Sequence, residues 1–267
     1  MEIRKLAICG GRGKDGQPEP VRRVELTMGR VVSIVGPTGC GKTTLINDIE
    51  LFADDNTPTG RRILINDEPP PEDALLDPSR NPVALISQHT NFLSDLPVRT
   101  FLETHARVRG SAHADTAVRE TLDFANQLTG EPLIESSAMT ELSGGQTRAL
   151  LIADAVVIGQ SPIILLDEIE NAGIHRTRAL ELLRRYEKIF LFVTHDPRIA
   201  LLSDFRIVLR AGAMQEVIEI NEEERKVADE IRKLDDLLLE FRQQIRQGRR
   251  LGLGMLEERL RALGYLA

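Results

Sequence analysis

The sequence predicts an α/β protein, in which strands of a central sheet alternate with helices. A short apolar strand, residues 31–35, runs into a glycine-rich loop and then into a helical pattern. Two further apolar runs of strand length, residues 163–166 and 189–193, end in polar residues. Helical patterns separate these runs, and this alternation is typical of sheets covered by helices.

The glycine-rich loop fits the phosphate-binding pattern G-x-x-x-x-G-K-[ST]. Its residues are Gly36, Pro37, Thr38, Gly39, Cys40, Gly41, Lys42 and Thr43, followed by Thr44. Glycines let backbone N–H groups close around a polyphosphate, and the helix N-terminus adds a favourable dipole. Lys42 is expected to reach the β- and γ-phosphates, and the Thr43 hydroxyl to bind Mg²⁺. The flanking strand and helix disfavour the alternative, an ordinary glycine turn.

Other stretches indicate the remaining strands of the protein. We expect them at residues 2–9, about 21–35, 61–65, 205–209 and 217–220. The segment Gly10–Gly16, rich in glycine, is expected to form a flexible turn, because it lacks the strand and helix that a second phosphate loop would need.

Helical patterns fill most of the remaining sequence. Pro97 can open a helix whose apolar face includes Leu102 and Val108, and Ala114 to Leu128 predicts a second helix. Further helices are expected at about 145–159 and 175–187, on either side of the strand that ends at Asp167.

Polar residues that could bind a ligand or take part in catalysis stand at the ends of three predicted strands and at the start of one helix. The strand ends carry Gln88, Asp167 with Glu168, and His195. Ser143, Gly144, Gly145 and Gln146 follow Leu142 where a helix should begin. Taken singly these are weak signals: a strand-end histidine is more often structural than catalytic, and a strand-end pair of carboxylates is as readily a solvated end or a helix cap.

The ordered set of motifs resembles the ATP-binding cassette (ABC) ATPases over residues 1 to about 220. The resemblance implies a P-loop NTPase core with an antiparallel β subdomain and a small helical subdomain at about 89–141. It also implies binding of ATP and Mg²⁺, with Mg²⁺ held through Thr43, Gln88 and Asp167. Glu168 matches the carboxylate that polarises the attacking water, and His195 the histidine that contacts the γ-phosphate.

The Leu-Ser-Gly-Gly-Gln signature implies a particular assembly. In the family it caps the ATP held by a second cassette rather than its own. By this resemblance Ser143, Gly144, Gly145 and Gln146 bind nucleotide across a head-to-tail dimer with two ATP molecules at the interface. One chain alone is then expected to hydrolyse ATP poorly.

The C-terminal segment, 221–267, is predicted to be a helical extension outside the minimal cassette. A heptad seam runs along it through Val227, Ile231, Leu234, Leu238, Phe241 and Ile245. Glycines between Gly248 and Gly254 interrupt the pattern, and a short amphipathic helix follows. Two interpretations stay open: a helix or hairpin packed on its own domain, or a contact with a second protomer or partner helix.

Composition excludes several classes of protein. The net charge of −7 provides no broad basic surface, so no nucleic-acid partner is expected. Two cysteines do not make a disulfide framework. The sequence shows neither a signal-peptide pattern nor an apolar run long enough to cross a bilayer. We therefore expect a cytoplasmic protein, peripheral at the inner face of a membrane only through a partner.

Two departures from the family pattern affect the expected function. No aromatic residue precedes Phe52, so the adenine base must rest on another surface. Residues 169–175 lack the proline and the Ser-Ala-Leu-Asp segment that follow the catalytic carboxylate in the family. These departures bear on base selectivity and on communication between two ATP sites.

The resemblance leaves two functions open. The first is the energising subunit of a membrane transporter whose permease is a separate chain, which residues 96–100 and the short helical subdomain favour. The alternative is an ATPase that remodels or reactivates a cytosolic client protein, such as a cofactor-bearing enzyme, which the unusual residues after Glu168 and the C-terminal extension favour. DNA-repair ATPases of the family carry long insertions that this chain lacks.

Overall fold

The structure, a computed structural model, describes residues 2–76, 81–87, 89–168 and 176–266. The chain forms two compact units, Met1–Glu219 and Ile220–Ala267. Gln88 and residues 169–175, to which the sequence analysis assigns roles, lie outside the described residues. Within the described ranges, no helix is both long and apolar enough to span a membrane.

Strands and helices alternate through most of the first unit, which confirms the predicted α/β class. The strands described are β1 (Lys5–Cys9), β2 (Arg23–Thr27), β3 (Val31–Val35), β4 (Arg62–Ile65), β5 (Val83–Ile86), β6 (Ile163–Asp167), β7 (Ile189–Val193), β8 (Phe205–Arg210) and β9 (Ala213–Glu219). The helices described are α1 (Lys42–Glu50), α2 (Glu72–Leu76), α3 (Val98–Val108), α4 (Ala114–Leu128), α5 (Gly144–Val157), α6 (Arg176–Leu183), α7 (Pro197–Leu202), α8 (Glu222–Arg246) and α9 (Leu253–Ala262).

A mixed sheet forms the centre of the first unit. Its described strands lie in the order β5-β6-β7-β3-β8-β9. The pairs from β5 to β8 are parallel, and β9 pairs antiparallel with β8. Because parallel strands end at one edge of a sheet, the residues after β3, β6 and β7 meet there. The phosphate loop and the two predicted carboxylates therefore share an edge.

Alternating side chains of the central strands fill two hydrophobic cores. On β6, Ile164 and Leu166 belong to the core that also contains α3, α4 and α5, whereas Ile163 and Leu165 belong to the core that contains α1. Successive strand residues point to opposite faces, so an unbroken apolar run indicates a strand covered on both sides.

A smaller antiparallel sheet contributes to the core on the α1 side. Its described strands lie in the order β2-β1-β4, and Ala7 on β1 pairs with Glu25 and Leu64. Leu6 and Ile8 on the same strand are completely buried. This sheet is the antiparallel β subdomain that the resemblance predicts.

The helical part between residues 89 and 141 contains α3 and α4. Helix α4 has the predicted bounds, and α3 begins directly after Pro97. Val108, which the sequence pattern places on the apolar face, is 78% exposed, and Ala106 is buried instead. The prediction for Val108 is wrong because the buried residues of α3, Val98, Leu102 and Ala106, recur every four positions, and Val108 lies on another face of the helix.

The second unit is a helical hairpin. Asn221 caps α8 by accepting a hydrogen bond from Glu224 N at 2.8 Å. Two contacts join α8 to the α9 segment: Arg259 Nη2 lies 2.6 Å from Glu240 Oε1, and the Tyr265 hydroxyl donates to Glu230 Oε2 at 2.5 Å. The interruption is shorter than predicted, because α9 already includes Gly254. Four seam residues are exposed: Val227, Leu234, Leu238 and Ile245.

Candidate functional site

The phosphate loop connects β3 to α1 through glycines that no other residue could replace. Gly36 has a φ of 152°, and a Cβ there would lie 2.4 Å from Leu209 O. Gly41, just before α1, has a φ of 102° and lies against the backbone of Gly212. Helix α1 has no acidic residue in its first turn and no side-chain cap. Its first N–H groups are therefore available to an anion.

The side chain of Lys42 folds back over the phosphate loop. Its Nζ donates to Gly36 O at 2.9 Å and to Pro37 O at 3.2 Å. Thr43 and Thr44, in the same first turn of α1, are exposed. An ammonium, hydroxyl groups and free backbone donors thus converge on one point, which is the arrangement that binds a phosphate chain.

An open cleft of about 500 Å³ joins the phosphate loop to the end of β6. The residues lining it are Lys14, Thr38, Gly39, Gly41, Lys42, Thr43, Thr44, Ser87, His89, Asp167, Glu168 and Val193. The structure therefore brings the predicted phosphate-binding residues and both predicted carboxylates into one site. Ser87 and His89 show that the chain on either side of position 88 also reaches this cleft.

The two carboxylates stand at the end of β6 on different backbone conformations. Asp167 is still within the strand and pairs with Val193 on β7. Glu168 has a φ of 50°, a left-handed conformation that costs a non-glycine residue about 1–2 kcal/mol. Its amide donates to Val193 O at 3.1 Å, which holds the turn in place. The backbone strain is therefore at Glu168, which the family resemblance matches to the carboxylate that polarises the attacking water.

His195 follows β7 at the same sheet edge but does not line the cleft. The preceding Thr194 is buried and donates its amide to Ile34 O at 3.2 Å, whereas the His195 residue is exposed. Asp196 caps α7 and binds the side chain of Arg198 at 2.5 Å. The structure thus places the histidine near the end of β3, outside the group of side chains that surrounds Lys42.

The signature residues form the N-terminus of α5 and lie outside this cleft. Ser143 Oγ accepts from Gln146 N at 3.3 Å, and Gln146 Oε1 accepts from Ser143 N at 3.0 Å. This reciprocal capping box fixes the serine and the following glycines at the helix end. Ser143 and Gly144 are exposed, whereas Gly145 and Gln146 are half-buried.

Lys14 was missed by the sequence analysis, although it lines the cleft. The flexible turn expected at residues 10–16 is instead a hydrogen-bonded loop. Gly13 N donates to Gln17 O at 2.9 Å, and Lys14 N donates to Ala211 O at 2.8 Å. Only the tertiary pairing with the turn between β8 and β9 reveals this order, and no local pattern in the sequence indicates it.

A buried ion cluster lies behind the phosphate loop. The Arg61 side chain is completely buried and bonds Glu19 at 2.5 Å and Asp48, on α1, at 2.9 Å. Burial by itself would lower the pKa of Arg61, but the hydrogen bonds and charges of Glu19 and Asp48 raise it. Arg61 also donates to Gly212 O at 2.8 Å, so one guanidinium connects Asp48 on α1, Glu19 just after the loop of residues 10–18, and the β8–β9 turn.

Comparison with known proteins gives these features a common context. The family described as ABC transporter matches residues 22–171. An uncharacterized ABC transporter ATP-binding protein of Methanocaldococcus jannaschii is 49% identical over 251 residues, 94% of this chain and 96% of that protein. The sn-glycerol-3-phosphate import ATP-binding protein of Cupriavidus necator is 31% identical over 201 residues, which are 73% of this chain but 52% of that protein.

Solved structures share the fold at low sequence identity. A dimeric ATP-binding cassette in a post-hydrolysis state, bound to ADP and Pi, has a TM-score of 0.61 and 22% identity, covering 81% of this chain and 99% of its own. The cbiO1 protein of Clostridium perfringens, part of the ABC transporter complex cbiONQ, has a TM-score of 0.60 and 21% identity, covering 89% and 99%.

Proposed function

Because the chain belongs to the ABC transporter family and is an ABC-type ATPase, we propose that it energises a membrane transporter as a head-to-tail dimer. Two copies clamp two ATP molecules, and hydrolysis releases the clamp. One observation carries this proposal: the exposed Ser143–Gly144 cap stands outside the cleft that contains Lys42. A cap that does not face its own phosphate loop is suited to the nucleotide of a second copy.

The roles within each site follow from position and chemistry. Lys42 and the loop amides bind the phosphates, and Glu168 polarises the attacking water from the end of β6. We assign Gln88 and His195 to the γ-phosphate side of the site by their place in the motif order. The proposed cassette comprises residues 1–220, and residues 221–267 form the extension.

The donor set of the cleft fits Mg²⁺. Thr43 supplies a hydroxyl and Asp167 a carboxylate, both hard oxygen ligands of the kind that Mg²⁺ prefers, and both line the same cleft. These two residues, with Gln88, are the ones that would hold the ion. When bound there, it would neutralise phosphate charge.

A surface for the permease is proposed on the helical part of the cassette. Leu93 is 99% exposed and lies in the segment that leads from the cleft residue His89 to α3. An apolar side chain so completely exposed is suited to burial against a partner. Movement at the nucleotide would reach this segment directly, because Ser87 and His89 line the nucleotide cleft.

The relatives favour transport over the remodelling alternative. One is named as an import ATP-binding protein, and one solved structure belongs to a transporter complex. The proposed location is peripheral to a membrane through the permease. Membrane flotation after co-expression with a permease encoded nearby tests this: the chain should float only when the permease is present, and not with Leu93→Asp. Flotation that depends neither on the permease nor on Leu93 contradicts the proposed role.

Mixing two inactive variants tests the head-to-tail dimer. Lys42→Ala removes the phosphate counter-charge, and Ser143→Arg blocks the cap. In a mixed dimer one site combines an intact loop with an intact cap, so ATPase activity should reappear although each variant alone is inactive. As the control, two separate preparations of Ser143→Arg are mixed with each other. A mixture of Lys42→Ala and Ser143→Arg that stays inactive while forming dimers contradicts the shared site.

A further inference from the structure

We propose that Lys14 is a second lysine of the nucleotide site, and that its ammonium binds the phosphate chain of the bound nucleotide beside Lys42. The inference rests on the proposed nucleotide site and adds a residue outside the loop, strand-end and signature motifs that define it. Within the loop of residues 10–18 it assigns phosphate binding to Lys14 alone.

The first support is the position of the Lys14 amine. Lys14 Nζ donates to Gly39 O at 2.8 Å, and Gly39 is part of the phosphate loop. An ammonium has three donors, so one bond to a carbonyl leaves two for an anion. Among the described loop residues 10–18, Lys14 is the one that lines the cleft. A triphosphate held by Lys42 and Thr43 would lie between two cations.

The second support is that long-range hydrogen bonds hold the backbone at Lys14 in place. Lys14 N donates to Ala211 O, and Gly212 N donates to Cys40 O at 2.9 Å. The same turn between β8 and β9 therefore binds both the phosphate loop and the Lys14 segment. A Cβ on Gly212 would lie 2.8 Å from Lys14 Cγ, so the glycine makes room for the lysine stem.

The third support is the buried cluster that anchors the loop. Glu19 is completely buried and accepts from Gly11 N at 2.9 Å and from Met214 N at 2.8 Å. Arg61 neutralises this carboxylate and also bonds Gly212 O. The cluster thus ties Gly11, in the loop that carries Lys14, to Gly212 in the β8–β9 turn and to Met214 on β9.

The chemistry of the loop also favours phosphate over base. The residues before Phe52 contain no aromatic side chain, so this loop offers no ring for the base to stack on. A lysine is a compact charge that suits an oxyanion and does not discriminate between bases. Lys14 is exposed, so its replacement should leave folding unchanged.

Binding by the purified full-length protein tests the inference, using Lys14→Gln and the matched control Arg12→Gln in the same loop. Both remove one exposed cation, but Arg12 does not line the cleft. Titrations with ATP and with inorganic tripolyphosphate, in the presence of Mg²⁺, should show Kd raised about 10-fold for both ligands in Lys14→Gln. Arg12→Gln should stay near the wild type. Lys14→Arg should recover most of the affinity.

Three outcomes overturn the inference. Unchanged Kd values in Lys14→Gln would mean that the amine makes no contact with nucleotide. A weaker Kd for ATP but not for tripolyphosphate would move the contact to the base or ribose. An equal loss of affinity in Arg12→Gln would mean that the effect comes from the charge of the loop in general and not from a contact made by Lys14. Lys42→Ala distinguishes a failure of this inference from a failure of the proposed function: if that variant still binds ATP, the proposed nucleotide site itself is wrong.

Discussion

At the scale of single residues, Glu168 is the carboxylate to which the proposed function assigns activation of the attacking water. Its left-handed backbone and the hydrogen bond from its amide to Val193 O fix the carboxylate at the end of β6. Glutamine keeps the size and the backbone preference of glutamate but cannot take up a proton from water. The two functions of the site, binding and hydrolysis, should therefore separate at this position.

Glu168→Gln should keep ATP affinity and lower the rate of hydrolysis by about 10²–10⁴-fold. With ATP bound but not consumed, the variant should elute as a dimer in size-exclusion chromatography. Phosphate release and elution volume are measured against Glu187→Gln, an exposed glutamate outside the cleft lining. Turnover of Glu168→Gln at the parent rate would remove Glu168 from its assigned role.

Lys188 gives the stability of the protein a defined dependence on pH. Burial lowers the pKa of its ammonium from 10.5 to about 8, and Nζ donates to Ser161 O at 2.8 Å. Between pH 8 and 10.5 the unfolded chain holds a proton that the folded protein has released. In that window stability rises with pH.

Lys188→Met should abolish this rise. The free energy of unfolding of the wild type should gain about 2 kcal/mol relative to the variant between pH 8 and 10.5, less than the full pKa shift would give because solvent screens this partly exposed group, and be constant relative to it below pH 7. Urea unfolding at closely spaced pH values measures the difference. Lys226→Met, an exposed lysine on α8, should follow the wild type. A flat difference for Lys188→Met refutes the assignment.

Residue patterns found most of the candidate site and missed the parts that depend on tertiary contact. Six of the predicted phosphate-binding residues and both carboxylates line one cleft, whereas Gly36, Pro37 and Cys40 are not among its lining residues. Lys14 and Arg61 carry no motif, because their roles depend on the β8–β9 turn, which lies far along the sequence. Whether His195 and Gln88 complete the site stays a prediction.

At the scale of elements, the ion cluster around Arg61 connects three segments that surround the phosphate loop. Its carboxylates are Asp48 on α1 and Glu19, which directly follows the loop of residues 10–18, and a carbonyl comes from the β8–β9 turn. A change at this guanidinium should therefore affect several elements together rather than one strand.

Arg61→Ala should destabilise the protein by about 3–5 kcal/mol, because it leaves Glu19 and Asp48 buried without their counter-charge. Arg62→Ala is the matched control: its side chain is 52% exposed and pairs with an exposed Asp54, so a much smaller loss is expected. Chemical denaturation followed by circular dichroism gives both values. Similar losses for the two variants would mean that the cluster does not anchor the fold.

Helices with strong periodicity were predicted well, whereas glycine-rich segments were not. Helix α4 has the predicted bounds because six of its side chains face one core at helical spacing. The segment Gly10–Gly16 has no apolar pattern, so only its long-range hydrogen bonds define its structure. The predicted helix at 175–187 ends earlier, at Leu183, where a turn leads into β7.

At the scale of the whole molecule, the proposed nucleotide cleft belongs to the first unit. The residues that line the cleft all lie between Lys14 and Val193, and the α8–α9 hairpin forms a unit with its own internal contacts. The relative from Methanocaldococcus jannaschii aligns over 94% of the chain, so its similarity extends into the hairpin. The proposed function gives the hairpin no part in holding ATP.

Ending the chain after Ile220 should leave the Kd for ATP within about 2-fold of the full-length value. Calorimetric titration of both forms measures this. A circular dichroism spectrum of the shortened form supplies the control for folding. A loss of ATP binding in a folded, shortened protein would show that residues 221–267 take part in the site.

The sequence indicated a helical extension but left its two interpretations open. The same seam residues would suit a hairpin or a coiled coil, because the heptad spacing is identical in both. The hairpin depends on Tyr265 and Arg259, which reach back to α8 from beyond the seam. Such contacts have no periodic signature, so the spacing of apolar residues could not reveal them.

Cys40 gives the protein a built-in reporter of motion at the phosphate loop. The residue is 4% exposed, and its Sγ lies close beneath Gly36. An alkylating reagent can reach this thiol only when the loop opens, whereas Cys9, which is half-buried, provides an internal reference. The ratio of the two labelling rates, read by mass spectrometry, would follow loop opening without any engineered probe. Bound nucleotide should slow the reaction of Cys40 selectively.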